Sequence, residues 1–439
     1  MKDWHLKMRL AFWNEFNSGA LGILLIALLC LVPTGSPIAK DSNASALTLR
    51  EALVLSVKSH PLIAARKQEY QAAIGDLAAA RWSAFPEASF NFRGFREEEG
   101  REPQDQETLT VSQPIWTGGR LSGNIDVAKA NKAAAKFAVA EAEQSLLLDT
   151  VQAFFDLHRA EMKLQISSDN VDEHLRLYNI MERRVSASTS PEVDLRLANA
   201  RLAFSRSQLL QNTNVLEVSR AKLEQFIGKP VYRVSVAQSD NIKKYPLFEA
   251  EKLAVSFSPK IRKMRAEIES LEASERVTKS ALFPQLSLGY EKKFGEVSSN
   301  QDSEQVFLGL DFQPGAGLSS RSSSAASRSR RRALQDSLIA LEREIRREVQ
   351  ITWREYSGAE MQLSPTSLLV ESTSEVVGSY LRQYTVGRKS WLDVLNAQRE
   401  LVQAKLALVD HQAKASSTAF KMQILVGDLN TDTVVIQSD

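Results

Sequence analysis

The 439-residue chain matches itself when it is displaced by about 200 positions. His60-Pro61 and Ser258-Pro259 each open a helix-favouring stretch that ends 25 residues later, at Phe85-Pro86 and Phe283-Pro284. The offset there is 198. It is 200 between Gln113-Pro114 and Gln313-Pro314, and 199 where Asp194, Ala198, Leu202 and Gly228 meet Asp393, Ala397, Leu401 and Gly427. Ordered agreement at this many positions points to a tandem duplication with small loop insertions, so each half must fold through the same succession of elements. The chain then divides into a leader 1–39, repeats 40–238 and 239–429, and a tail 430–439. Length alone would have suggested about three domains.

Each half reads the same way. Residues 48–83 and 259–282 are rich in Ala, Glu, Arg and Leu and favour helix. After the Pro the period changes to two. Phe90 and Phe92 alternate with Ser89, Asn91 and Arg93, and Leu109 and Val111 with Thr108, Thr110 and Ser112. Leu286, Leu288 and Tyr290, then Val306, Leu308, Leu310 and Phe312, repeat the pattern. These are four strands of about 10 residues, each with one apolar face, joined in pairs by the polar linkers Glu97–Gln106 and Glu296–Ser303. Long stretches follow at about 119–185 and 319–384, which as helices would be about 100 Å long. Pro365 interrupts the second and is expected to bend or break it. Leu334, Leu338, Leu341, Ile345 and Val349 form a coiled-coil seam. Return helices carry Leu202, Leu209, Leu216 and Leu223, matched by Leu401, Leu408, Ala415 and Met422. Helices of this length predict an elongated protein.

The N-terminus carries Lys2, Lys7 and Arg9, then the uncharged run Leu21 to Val32, Pro33 and small residues to Ala39. The run is too short for a bilayer core that needs about 20 residues in a helix, and it reads as a secretory signal peptide. Cys30, the single cysteine, leaves open a lipoprotein reading, although Leu29 stands where a small residue is expected. One cysteine excludes a disulfide framework. With 55 Lys+Arg against 53 Asp+Glu, the chain is no dedicated nucleic-acid binder.

On an exported protein, ten-residue strands with one apolar face fit a tilted membrane β-barrel. Four strands cannot close one, since the smallest membrane barrels have about eight and open edges are not tolerated in hydrocarbon. Several copies must share a barrel, and twelve strands from three chains would enclose a wide lumen. The order of elements, with Pro114-Ile115-Trp116-Thr117-Gly118-Gly119 and the run Tyr384 to Leu395, resembles the TolC-like outer-membrane efflux proteins over about residues 47 to 429. The resemblance implies a mixed, mainly α fold: a coiled-coil helical barrel plus four transmembrane strands per protomer, in a homotrimer with a 12-stranded barrel. It implies a passive outer-membrane conduit with a large periplasmic portion in a Gram-negative bacterium. Its partners would be a periplasmic adaptor and an inner-membrane pump or ABC exporter. No cofactor and no enzymatic activity are implied. Small-molecule efflux and type I protein secretion both fit, and a pore-less periplasmic adaptor or scaffold is the alternative of another class.

The resemblance places a periplasmic gate at Tyr384, Lys389 and Asp393, with Asn396 where the family has a second aspartate. Lys for Arg loses the bidentate fork, so a latch there is weaker or differently arranged. Asp393 reads equally well as a helix N-terminal acid, because Asp194 holds the same place in the other hairpin. Adaptor docking falls on the tips, at Val185 and Ser186 in the first hairpin and Val386, Gly387 and Arg388 in the second. The first tip lacks the Gly and is read as two residues longer. Trp82, Phe85, Trp116, Phe283 and Phe312 cluster at strand ends and suit a membrane-interface girdle, with junction packing as the alternative. Ser319–Arg332, with five arginines, reads as a charged edge beside lipid headgroups or the lumen, or as a solvated helix start. His158 with Glu161 and Glu173 with His174 lack a third ligand, so no metal site is expected and solvated faces are.

Overall fold

Proline and glycine set most of the element boundaries. The computed structural model describes residues 46–94, 105–236, 243–294, 303–431 and 433. The leader with Cys30, most of both hairpin linkers and most of the tail lie outside the described residues.

Strand β1 (Leu47–Thr48) pairs in parallel with β4 (Val234–Ser235). Thr48 caps helix α1 (Leu49–Ser59) through a capping box with Glu51. Helix α2 (Pro61–Trp82) follows at once, so the stretch 48–83 forms two helices. Pro61 has no N–H to continue the α1 ladder but suits the first turn of a new helix, and His60 Nδ1 accepts from Leu62 N at 3.2 Å. The second half does the same with α5 (Leu247–Phe257), the Ser258 cap and α6 (Pro259–Ser280).

Strands β2 (Glu87–Gly94), β3 (Asp105–Trp116), β5 (Gln285–Phe294) and β6 (Glu304–Asp311) form one antiparallel sheet in the order β2-β3-β5-β6. The β3–β5 ladder joins the halves, and β2 and β6 each leave an edge unpaired. Register puts Phe90 beside Leu109, Tyr290 between Val111 and Val306, Leu288 beside Leu308, and Leu286 beside Leu310, all on one apolar face. The other face carries Asn91, Thr108, Thr110, Ser112, Glu291 and Gln305. Phe307 is the exception on that polar face. Its ring lies over Gly289, where any Cβ would collide with it.

The long helices are α3 (Arg120–Ser186) and α7 (Ser319–Thr385), each 67 residues. The return helices are α4 (Glu192–Ile227) and α8 (Trp391–Val426), each 36 residues. Gly228 and Gly427 end them with φ of 74° and 90°, the left-handed backbone a helix C-terminus favours. Contrary to expectation, Pro365 does not break α7, which runs through it. Packing against α8 along the helix offsets a local cost of about 3 kcal/mol, and the solvent-exposed Met361 stands at the turn that loses its bond.

The core lies where α1 and the β1–β4 pair cover α3. Leu53, Val57, Phe154, Phe155, Leu223 and Ile227 are buried there, and the Phe155 ring stacks on Phe420 at 5.8 Å. The seam residues Ile345 and Val349 of α7 pack with α5, α6 and Met422 of α8. A separate cluster closes the helix tips.

Candidate gate, docking tips and membrane collar

Both hairpins reverse by the same backbone geometry. In the second, Gly387 has φ 75°, its N–H donates to Tyr384 O at 3.0 Å, and Arg388 N donates to Gln383 O at 2.9 Å. In the first, Ser188 has φ 56°, its N–H donates to Val185 O at 2.9 Å, and Thr189 N donates to Arg184 O at 2.8 Å. The structural counterpart of Gly387 is therefore Ser188, and that of Val386 is Ala187. This corrects the sequence reading of a longer first tip: the tips have equal length, and Ser takes the left-handed position that Gly takes in the other. The apices are Ala187, Ser188 and Thr189 against Val386, Gly387 and Arg388, all exposed. Val185 sits one turn back and packs into the tip cluster, and Ser186 Oγ donates to Glu182 O at 2.9 Å.

Tyr384 is buried under the first hairpin. Its ring lies 5.2 Å from that of Trp391, the Arg184 guanidinium sits 4.9 Å over its face, and its Oη is 3.5 Å from Ser190 Oγ. Arg184 Nε also donates to Ser190 Oγ at 3.2 Å. Leu177, Met181, Val394 and Leu395 complete the cluster. Tyr384 thus ties the two hairpins of one chain together. Arg184, Ser190 and Trp391 were not singled out from sequence. Trp391 stands next to the Ser390 cap of α8, and a large aromatic at the start of an amphipathic helix was the signal available. Lys389 Nζ lies 4.3 Å over the Tyr380 ring rather than against a carboxylate.

Asp393 closes a capping box at the start of α8. Its Oδ2 accepts from Ser390 N at 3.1 Å and Ser390 Oγ at 2.8 Å, while its own N–H donates to Ser390 Oγ at 3.2 Å. These bonds from Ser390 hold its carboxyl below the ordinary value of 3.8. Asp194 has no such partner, because Pro191 stands where Ser390 stands in the second hairpin. Asn396, one turn further along α8, is half-buried.

At the other end of the long helices, Trp82, Phe85, Trp116, Phe283 and Phe312 are all exposed at the base of the sheet. Trp82 lies 5.0 Å from Phe85, and Trp116 meets Phe283 edge-on at 6.3 Å. Ser319–Arg332 forms the first turns of α7. There Glu275 of α6 is buried and takes Lys279 at 2.8 Å, Arg331 at 3.3 Å and Arg328 at 3.8 Å, and Lys279 first, then Arg331, holds its carboxyl below the ordinary value.

The histidines depart from expectation. His174 is buried and His158 half-buried, so neither lies on a solvated face, and burial lowers the pKa of both. Glu161 accepts from Val234 N at 3.3 Å. Among the described residues no three His, Cys, Asp or Glu side chains gather as a metal site. A stripe that sequence reading passed over runs along α3 at helical spacing: Asp149, Gln152, Asp156, Arg159 and Lys163. Across it on α8 stand Asp410, Lys414 and Lys421. Lys163 pairs with Asp410 at 2.7 Å, Asp156 with Arg159 at 2.7 Å, and Lys414 with Glu355 of α7 at 2.8 Å. Lys421 bonds Gln152.

A mainly helical unit of paired long helices, carrying a sheet with one uncovered apolar face, has the architecture of the TolC-like channels. The chain belongs to the outer membrane efflux protein family, whose model matches residues 52–229 and 252–427. It is 24% identical over 380 residues to the cobalt-zinc-cadmium resistance protein CzcC of Cupriavidus metallidurans, covering 84% of this chain and 87% of that one. It is 20% identical over 390 residues to the alkaline protease secretion protein AprF of Pseudomonas aeruginosa, covering 82% and 80%. The CmeC outer membrane channel of Campylobacter jejuni superposes with a TM-score of 0.75 at 15% identity, covering 95% of this chain and 97% of that one. Members of the family are channels rather than enzymes. No described helix is long and apolar enough to cross a membrane.

Proposed function

We propose that the chain is one third of a passive outer-membrane conduit. The observation that carries this reading is the sheet. Phe90, Phe92, Val306, Leu308 and Leu310 are each more than 60% exposed, and β2 and β6 end in unpaired edges. In hydrocarbon both conditions are relieved only by ring closure, with β6 of one copy pairing with β2 of the next. Three copies make a 12-stranded barrel, lipid-facing on the apolar side and polar inside. The aromatic base of the sheet marks the membrane interface. The protomer is two tandem repeats, 40–238 and 239–429, preceded by a signal peptide 1–39 and followed by a tail 430–439. The charge-balanced stripe between α3 and α8 gives the conduit a polar wall of no strong sign.

The tips supply gate and docking. Three Asp393 carboxylates around the axis favour cations, and Tyr384, latched under Arg184, holds the mouth shut. Asn396 in place of a second aspartate weakens the ring. Ala187–Thr189 and Val386–Arg388 present the exposed apices to a periplasmic adaptor, which couples the channel to an inner-membrane pump. Efflux of small solutes is favoured as the activity, with divalent metal cations the first cargo to test given the name of the CzcC relative. The AprF relative supports a second reading, export of a protein by an ABC exporter. A pore-less periplasmic scaffold is opposed by the exposed strand faces. Planar-bilayer recording of the purified, membrane-inserted protein decides: stable single-channel steps are expected, and inserted protein without conductance ends the conduit reading.

A further inference from the structure

The arginine- and serine-rich start of α7 has a partner role that follows from the protein's own internal contact. Within one chain α3 packs on α6, with Ser270 Oγ donating to Asn131 Oδ1 at 2.7 Å, Arg276 pairing with Asp126 at 2.6 Å, and Lys263 with Glu141 at 3.1 Å. Moving forward 199 residues from α3 gives α7, and moving back 198 from α6 gives α2, as the helix starts at 120 and 319, and at 61 and 259, require. Within one chain the corresponding face of each of these helices is uncovered. Ala72, Gly75, Asp76 and Ala79 on α2 are exposed, and a Cβ added at Gly75 would meet nothing within 4 Å. Ser322, Ser329, Arg330 and Ala333 on α7 are likewise exposed.

Transferring the internal contact fixes what meets what. Asn131 opposite Ser270 becomes Arg330 opposite Ala72. One helical turn to either side of Ala72 stand Glu69 and Asp76. The two ion pairs of the internal contact become Ala325 opposite Ala78 and Ala340 opposite Ala65, so they are deleted rather than copied. New charge enters instead at 330, matched by carboxylates on the other helix. Neither Arg330 nor Asp76 has an ion-pair or hydrogen-bond partner among the described residues, and Glu69 has only an exposed pair with Arg66 of its own helix at 2.7 Å, which it would share, whereas the neighbouring Arg328 and Arg331 are taken up by Glu275.

We propose that Arg330 of one copy sits between Glu69 and Asp76 of the next, and that this clasp, on facing stripes of Ala, Gly and Ser that let the two backbones approach closely, is the assembly surface at the base of the barrel. The occupant is a second copy of this chain. The exchanged charges also give specificity, because α2 carries Ala65, Ala72 and Ala78 where α6 offers α3 Lys263, Ser270 and Arg276, so the contact between copies and the contact within a copy cannot be interchanged. The proposal rests on the ring reading above.

The test uses the full chain, extracted from membranes in mild detergent, in a Cys30→Ser background. Ala72→Cys with Arg330→Cys is expected to give covalent multimers on mild oxidation, while Asn131→Cys with Ser270→Cys gives bridged single chains. Arg330→Glu should raise the concentration at which the native assembly dissociates about fivefold per interface, as an exposed ion pair allows, with Glu69→Arg and Asp76→Arg together restoring it. Gly75→Leu, placed in open space in the single chain, should block assembly while leaving the helical circular-dichroism spectrum intact. An assembly that persists by native mass spectrometry, forms no inter-chain cross-link and ignores Arg330→Glu overturns the clasp but leaves the ring. If Arg330→Glu instead abolishes only co-sedimentation with phosphatidylglycerol vesicles, the arginine serves lipid and the clasp is again overturned. A wild-type chain that never assembles removes both the clasp and the ring.

Discussion

Asp393 accepts from the backbone N–H and the hydroxyl of Ser390, and those two bonds depress its titration. The sign follows directly. A folded-state pKa below the ordinary 3.8 means the contribution of the carboxylate is complete above that value and is lost as the pH falls through the lower one. Cation preference, read as the reversal potential under a KCl gradient, should be full near neutral pH and be lost only in acid, at a lower pH than an ordinary aspartate would give. Asp393→Ala should remove the preference at neutral pH and destabilise the start of α8, since both a capping box and a favourable charge at the helix N-terminus are lost. Arg184→Ala takes the cation from the Tyr384 ring and a donor from Ser190, so the fraction of time the channel spends open should rise in single-channel records. Unchanged gating would show that Tyr384 is held by Trp391 packing alone. Ser188→Gly should stabilise the first tip by about 1 kcal/mol, since it relieves a left-handed backbone that costs a side chain about that much.

Among the elements, α7 carries the one proline that lies inside a long helix. Pro365→Ala restores a bond to the Met361 carbonyl and should raise thermal stability by up to about 3 kcal/mol, followed by the helical signal at 222 nm. In the sheet, a side chain at Gly289 meets the Phe307 ring, so Gly289→Val should disturb the β5–β6 ladder and lower the yield of folded protein, while Phe307→Ala combined with it should recover the yield. The phases of all four strands and the spans of the four long helices were legible from the switch between periods and from Pro and Gly at the joints, because those residues act locally. The tip alignment was not. Val185 resembles Val386 in sequence, but the sign of φ pairs Ser188 with Gly387, and a Ser gives no warning that it will take a glycine's conformation. The burial of His174 was also illegible, since it depends on which face of α3 meets α4, where Arg201 lies close enough to add to the lowering of its pKa. Pro365 misled because propensity speaks for one turn and the packing of α8 for the helix.

For the proposed assembly, the apolar strand face is the feature most open to attack. Leu308 lies near the middle of β6, and Leu308→Arg should cost about 2–4 kcal/mol at the bilayer midplane and sharply reduce membrane-inserted assemblies in detergent extracts. Gln305→Arg, on the polar face of the same strand, should insert normally and alter ion selectivity. Equal losses from both variants would mean that the two faces of the sheet are not lipid-facing and lumen-facing.

The equality of the two hairpins carries a constraint of its own. Both long helices have 67 residues and both return helices 36, and their ends meet in one shared cluster around Tyr384 and Trp391. Removing a heptad from α3 alone would draw its tip about 10 Å out of level with its neighbour and strand Met181 away from Tyr384. The reach of the helices can therefore be re-cut only in whole heptads taken from all four together, which makes the chain a ruler marked in coarse divisions, and in the proposed conduit that ruler sets the span.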